Sequence, residues 1–157
     1  MKDEEGNTPM RSVREDSGRR YLLLKESAEA SLVRDPETGE ERYVANERLH
    51  QVGQSPLATA AERLPGETRH ELGIEPGERG IGLLSELDRR GPLAVRTLLA
   101  DYDLCESDLH GLVGELRAAG AIEETAVAGE RGYALTDATR EVLQSYPDGE
   151  PGTSTSR

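Results

Sequence analysis

The chain has 157 residues, of which 34% are hydrophobic and 32% are charged, and its formal net charge is −12. This length predicts a single domain with at most an appendage, and the absence of Trp and Phe leaves only a modest core of Leu, Val and Ala. No apolar run approaches the ~20 residues of a membrane helix, and the N-terminal residues lack the apolar segment of a signal peptide. We therefore expect a soluble, cytoplasmic protein without membrane contact.

The charged residues and the single cysteine narrow the class further. Because Cys105 is the only cysteine, the chain has no internal disulfide and no zinc site with several cysteine ligands. Cys105 is either a reactive thiol or a small, half-buried turn residue. The acidic residues are dispersed along the chain, which is typical of a solubility device rather than an interaction tail. Only two basic residues are lysines, Lys2 and Lys25. This composition favours a halophile's cytoplasm, where molar salt shortens the Debye length to about 3 Å.

The first third of the chain is predicted to be a polar arm followed by strands. Residues 1–19 are charged and non-periodic, which predicts a disordered arm. Residues 20–50 hold apolar runs around "DPETG", a Pro and Gly spacing typical of a hairpin turn, and they predict a three-stranded antiparallel β-meander. Since three strands with one apolar face need a layer to pack against, we expect the meander to dock on the helices that follow.

Residues 51–77 are predicted to be a helical connector. Asn46 is a candidate cap for a helix over "ERLHQV", just before it. Ser55 as cap, Pro56 at the first helical position and "PG" at 65–66 as terminator predict a second short helix.

From residue 78 the helical periodicity is stronger. "ERGIGLLSELDRRGP" predicts a helix that the Gly-Pro pair ends, and "LAVRTLLADYDL" predicts a shorter one. In "CESDLHGLVGELRAAG", Leu109, Leu112, Val113 and Leu116 follow the spacing of an amphipathic helix, and Gly120 is its stop. "AIEETAV" and "GYALT" predict a hairpin, "TDATREVLQSY" predicts a closing helix, and residues 147–157 predict a disordered tail.

Two stretches of the chain resemble the winged-helix domains of prokaryotic transcription regulators of the MarR, ArsR and PadR kind, above all haloarchaeal ones. They are "RGPLAVRTLLADYDLCESDLHGLVGELRAAGAIEE" and "GERGYALTDATREVL". The resemblance covers about residues 78–143, just under half the chain. Together with the N-terminal β-meander predicted above, it indicates an α+β chain that ends in a winged helix-turn-helix over residues 78–146. It also implies binding of double-stranded DNA in transcription control, and it implies nothing about the meander.

The resemblance also implies which residues would contact DNA. The positions facing the major groove would be Glu106, Ser107, Asp108, His110, Gly111 and Gly114, with Arg117 as the only cation of that helix. Arg131, between two wing glycines, is the candidate for a phosphate or minor-groove contact. The backbone of the duplex would pass the arginines around the first turn, which are Arg89, Arg90 and Arg96.

Each of these residues has an ordinary alternative. His110 and Arg131 are equally compatible with a solvated surface, and Glu86 and Asp88 can pair with the nearby arginines. A glycine inside a helix costs about 0.5–1 kcal/mol relative to Ala. Gly111 and Gly114 either permit close approach of another surface or reflect a tolerant sequence.

The sequence contains none of the common enzyme motifs, which leaves two candidate functions. The chain has no phosphate-binding loop, no nucleotide-binding glycine motif and no Gly-x-Ser-x-Gly, and its three histidines lack metal spacing. We therefore expect no catalytic residue, cofactor or metal. In molar salt an acidic domain is still compatible with DNA binding, because counterion release contributes little there. The alternative is a winged-helix protein-interaction module, with a homodimer or another protein as partner.

Overall fold

The computed structural model describes residues 9–64 and 78–144, apart from the side chain of Glu78. These residues form a mixed α+β structure with two antiparallel sheets and five α-helices. The first sheet contains β1 (Arg11–Glu15), β2 (Arg20–Lys25), β3 (Ala30–Arg34), β4 (Glu41–Ala45) and β5 (Leu49–Gln51), in the spatial order β4-β3-β2-β1-β5.

The first sheet has five strands where the sequence predicts three. Residues 11–15 belong to the predicted disordered arm but form β1, which pairs with β2 on one side and β5 on the other. Val13 is the only aliphatic residue of β1, so the segment carries no visible alternation. Its acidic residue, Glu15, is buried and accepts a hydrogen bond from the Arg48 guanidinium. Pairing with distant residues, rather than local pattern, therefore makes this segment a strand.

The helix predicted after Asn46 is also wrong. Residues Asn46–Arg48 form one 3-10 turn, and the chain then enters β5. The Asn46 side chain does not cap a helix: its amide donates to the Ser27 carbonyl at 2.7 Å, and its oxygen accepts from the Ser31 hydroxyl at 2.6 Å. Asn46 thus anchors the β2–β3 connection. The predicted hairpin turn is confirmed, with Gly39 at a φ of 81° and its N–H donating to the Asp35 carbonyl at 2.8 Å.

One face of this sheet encloses a small core of its own. The core residues all come from strands of the sheet, and the partly buried Leu49 packs against them. Because directly paired residues of antiparallel strands share a face, the pairs Val13–Tyr21 and Leu23–Val33 place them on one side. This face of the sheet therefore carries a single cluster, which consists of Val13, Tyr21, Leu23, Val33 and Val44.

The other layer begins with α1 (Pro56–Ala60), a 3-10 turn (Ala61–Arg63) and α2 (Glu78–Arg90). The predicted start of α1 is confirmed: the Ser55 hydroxyl accepts a hydrogen bond from the Leu57 N–H at 3.1 Å. A Cβ on Gly82 would lie 1.7 Å from the Leu57 carbonyl oxygen. Only a glycine therefore allows the backbones of α1 and α2 to touch.

The remaining elements are β6 (Leu93–Ala94), α3 (Val95–Asp101), α4 (Glu106–Ala118), β7 (Ile122–Val127), β8 (Glu130–Leu135) and α5 (Asp137–Gln144). The second sheet has the order β6-β8-β7. The helices and the hairpin predicted from residue 78 onward are confirmed, and Leu109, Val113 and Leu116 form the buried side of α4. Gly132 lets β6 approach β8, since a Cβ there would lie 2.5 Å from the Leu93 carbonyl oxygen.

The expected docking of the strands on the helices is confirmed. The Ser12 hydroxyl on β1 lies 2.6 Å from the Thr59 hydroxyl on α1, and Arg34 on β3 forms a 2.6 Å ion pair with Glu86 on α2. Residues 1–8, the end of the predicted connector at 65–77 and the predicted tail at 147–157 lie outside the described residues. Among the helices of the described ranges, none has the length and apolarity to cross a bilayer.

Candidate nucleic-acid interface

Helix α4 has a buried side and a fully exposed side. Cys105 precedes it in an extended conformation without a side-chain capping bond, and this cysteine is exposed rather than half-buried. The exposed side carries most of the residues predicted to face DNA, which are Glu106, Ser107, His110, Gly111 and Gly114. The helical periodicity alone separates these residues from the buried leucines.

The two glycines of α4 face open space. A Cβ on Gly111 or on Gly114 would meet no atom within 4 Å. Together with Ser107 they follow the spacing i, i+4, i+7, so they form a smooth strip along the helix. No packing within the described residues requires a glycine at either position.

Asp108 is also exposed, but it has a partner on α2. Its carboxylate lies 3.2 Å from the Arg79 guanidinium. A hydrogen bond from Cys105 and the charge of Arg79 hold the pKa of this carboxyl below its usual value. Asp108 therefore forms an exposed ion pair between the start of α4 and α2.

Two of the predicted backbone-contacting arginines bind other parts of the protein. Arg89 reaches the β3–β4 turn, where it donates to the Pro36 carbonyl at 3.0 Å. Arg90 donates to the Tyr102 hydroxyl at 2.7 Å and to the Asp101 carboxylate at 3.1 Å. Both guanidinium groups are thus engaged in holding α2 to its neighbours.

Arg96 and Arg117 stay on the surface but pair with carboxylates of the β7–β8 hairpin. Arg96 lies 3.2 Å from Glu130, and Arg117 lies 3.8 Å from Glu124. Exposed pairs of this kind contribute about 0–1 kcal/mol. Each guanidinium can therefore exchange its partner for another anion at little cost.

Arg131 differs from the other arginines of this region. It lies on β8, opposite Ala126, and the tip of the hairpin is formed instead by Ala128 and Gly129, both with positive φ. Its side chain is exposed, and it forms no hydrogen bond or ion pair with any residue in the described ranges. Arg131 is therefore available to a ligand without breaking an existing contact.

A cavity of about 210 Å³ opens between α3, α4 and β8. It brings together His110 and Arg131, which the sequence singled out separately. The sequence did not predict that α3 and Tyr133 contribute to this cavity. The two-residue period of a strand could have indicated Tyr133, because it places Tyr133 on the same face of β8 as Arg131. The lining consists of Val95, Leu99, Glu106, Leu109, His110, Val113, Arg131 and Tyr133.

Glu86, Arg34 and Tyr102 form a buried polar network that the sequence did not predict. Glu86 is 1% exposed and accepts hydrogen bonds from Arg34 and from the Tyr102 hydroxyl. Burial raises the pKa of Tyr102, and the neighbouring Glu86 carboxylate raises it further. The network links the first sheet to the turn that leads into α4, and no local sequence signal predicts contacts over such separations.

Within the described ranges, no group of three or more His, Cys, Asp and Glu side chains could hold a metal ion. No curated protein and no solved structure matches the chain. A family model does match it, over residues 10–146, and its description is "Family of unknown function (DUF7346)". Since this match spans most of the chain, the protein belongs to the DUF7346 family.

Proposed function

We propose that residues 78–144 act as a winged helix-turn-helix that binds double-stranded DNA in transcription control, with α4 in the major groove. The order α2, β6, α3, α4, β7, β8, α5 and the sheet order β6-β8-β7 support this fold. The observation that carries the proposal is the exposed side of α4. Ser107 and His110 project from a smooth helix that no described side chain covers at Gly111 and Gly114.

Hydrogen bonds and shape, rather than phosphate charge, supply the affinity in this proposal. Ser and His can bond base edges in the major groove, and two glycines let the helix backbone approach the bases closely. Phosphate neutralisation is weak because the arginines around α4 already have carboxylate partners, except Arg131. The expected logarithmic salt slope is therefore about one or two units, far shallower than for a basic protein.

The test is selection of genomic fragments by the full chain in molar KCl, followed by titration of an enriched fragment. Arg131→Ala should weaken binding about equally on all sequences and lower the salt slope by about one unit. Arg117→Ala should act in the same direction but less, because Arg117 is shared with Glu124. The control is Arg11→Ala, which removes a half-buried, paired arginine from β1, away from α4 and the hairpin.

Enrichment of no fragment by a folded chain contradicts the proposal. Equal losses for Arg131→Ala and Arg11→Ala would also contradict it, since the effect would then reflect overall charge rather than the α4 and hairpin surface.

The pairing of arginines favours a second candidate, a winged-helix protein-interaction module. Three arginines around α4 form ion pairs with carboxylates: Arg79, Arg96 and Arg117. The charges of this surface are therefore largely balanced, and it has little excess positive charge to attract phosphates. The strip of Ser107, Gly111 and Gly114 suits close helix-on-helix contact. A homodimer through α4 should be abolished by Gly111→Leu in sedimentation measurements. Arg131→Ala should leave that dimer intact, which separates this candidate from DNA binding.

A further inference from the structure

The cavity between α3, α4 and β8 contains polar groups that the fold leaves without partners. Tyr133 is 5% exposed, and its hydroxyl forms no hydrogen bond within the described ranges. The hydroxyl is not among the fully buried polar atoms that lack a partner, so it meets solvent where the residue lines the cavity. The hydroxyl is therefore free to bond a molecule that enters.

The rim of the cavity carries two opposite charges. Arg131 and Glu106 both line it, and neither forms an ion pair with any described residue, including each other. By contrast, Arg79, Arg96, Arg117 and Arg140 all have carboxylate partners. The separated charges sum to zero, so they disfavour a ligand with a large net charge. His110 is the third titratable group at the rim, and it adds a ring nitrogen that can donate or accept.

The walls of the cavity are aliphatic. Val95 and Leu99 come from α3, and Leu109 and Val113 come from α4. Pockets for drug-sized ligands have volumes of about 300–1,000 Å³, so 210 Å³ selects a smaller molecule. The complementary ligand is small, with one apolar side, one anionic end and one cationic end.

We propose that this cavity binds a free α-amino acid with an aliphatic side chain. The carboxylate of the ligand pairs with Arg131 and accepts from the Tyr133 hydroxyl, its ammonium pairs with Glu106, and its side chain lies against Leu99 and Val113. The inference does not depend on DNA binding. If both hold, the amino acid and a duplex compete for Arg131.

The experiment is calorimetric titration of the full chain, without DNA, in molar KCl. The probes are L-leucine, isocaproate (leucine without its amine), isoamylamine (leucine without its carboxylate) and glycine. L-leucine should bind at least tenfold more tightly than each of the other three, because each lacks one of the three complementary groups.

Single variants assign each group. Arg131→Gln should weaken L-leucine and isocaproate but not isoamylamine, and Glu106→Gln should weaken L-leucine and isoamylamine but not isocaproate. Each loss should be about tenfold or more, as expected for a charge-assisted hydrogen bond. The matched controls are Arg96→Gln and Glu115→Gln, which lie outside the cavity lining and should bind L-leucine unchanged.

Absence of L-leucine binding by the folded chain overturns the proposal. Equal binding of L-leucine and isocaproate, with no effect of Glu106→Gln, overturns it as well, because the cavity would then bind a simple acid. Tyr133→Phe provides a further check: it keeps the buried ring and should weaken only the probes that carry a carboxylate.

Discussion

Gly82 and Gly114 both lie inside amphipathic helices, but their surroundings are opposite. At Gly82 a Cβ would overlap the Leu57 carbonyl oxygen, whereas at Gly114 it would meet nothing. The junction of α1, α2 and the first sheet uses Gly82, Arg34 and Glu86 for internal contacts, whereas Gly111 and Gly114 on the exposed side of α4 make none. A helix glycine therefore indicates a binding surface only where internal packing does not require it, as at Gly114.

The largest effect is expected from a shortened chain that begins at Gly77. The C-terminal periodicity predicts a self-contained core, but Leu57, Ala61 and Leu64 belong to the same buried cluster as the residues of α2. Their removal exposes the α1-facing side of α2. We expect the shortened chain to lose cooperative unfolding in circular dichroism, even in molar KCl. A cooperative transition close to that of the full chain would show that the junction is dispensable.

Arg34→Met should cost about 3–5 kcal/mol of unfolding free energy, because it leaves Glu86 buried without its cation. Denaturant unfolding measures this loss. Arg11→Met is the control, since its pair with Glu26 is exposed and should contribute about 0–1 kcal/mol. Adding Glu86→Gln to Arg34→Met should recover part of the stability. If both single arginine variants behave alike, the buried network does not hold the two layers together.

Gly82→Ala should destabilise by about 3 kcal/mol, the upper end of overpacking costs, since backbone rather than a flexible side chain blocks the methyl group. The shift of the denaturant midpoint gives the value. A neutral or stabilising result would mean that α1 and α2 do not touch at this point.

Gly111→Ala and Gly114→Ala should have the opposite sign. Each removes the helix cost of glycine and fills open space, so each should stabilise by about 0.5–1 kcal/mol. The same unfolding measurement applies. If these variants also lose DNA or partner binding, the two glycines serve that contact. If the variants are instead less stable than the wild type, the glycines have a packing role.

The smallest effect concerns the start of α4 at low pH. The pKa of Asp108 is depressed below its usual 3.8, so its contribution to stability is present above that pH and is lost as pH falls through the lower folded value. The difference in melting temperature between the wild type and Asp108→Asn should therefore vanish in acid. A difference that persists below this range would assign it to something other than the charge of Asp108.

Several elements of the chain follow from local sequence pattern. The recurrence of Leu109, Val113 and Leu116 determines which side of α4 is buried, and Ser55 with Pro56 determines where α1 begins. The left-handed Gly39 determines the hairpin turn. Each of these signals lies within a few residues, because helix and turn geometry repeat over that distance.

Only the tertiary structure decided the rest. Residues 11–15 form a strand through pairing with β2 and β5, and Glu86 is buried because Arg34 and Tyr102 reach it from other elements. Arg131, too, is available to a ligand because the nearby carboxylates Glu130 and Glu124 pair with Arg96 and Arg117 instead. A charged residue looks the same in sequence whether it is solvated, paired or free, because its partner is chosen by distance in space rather than by position in the chain.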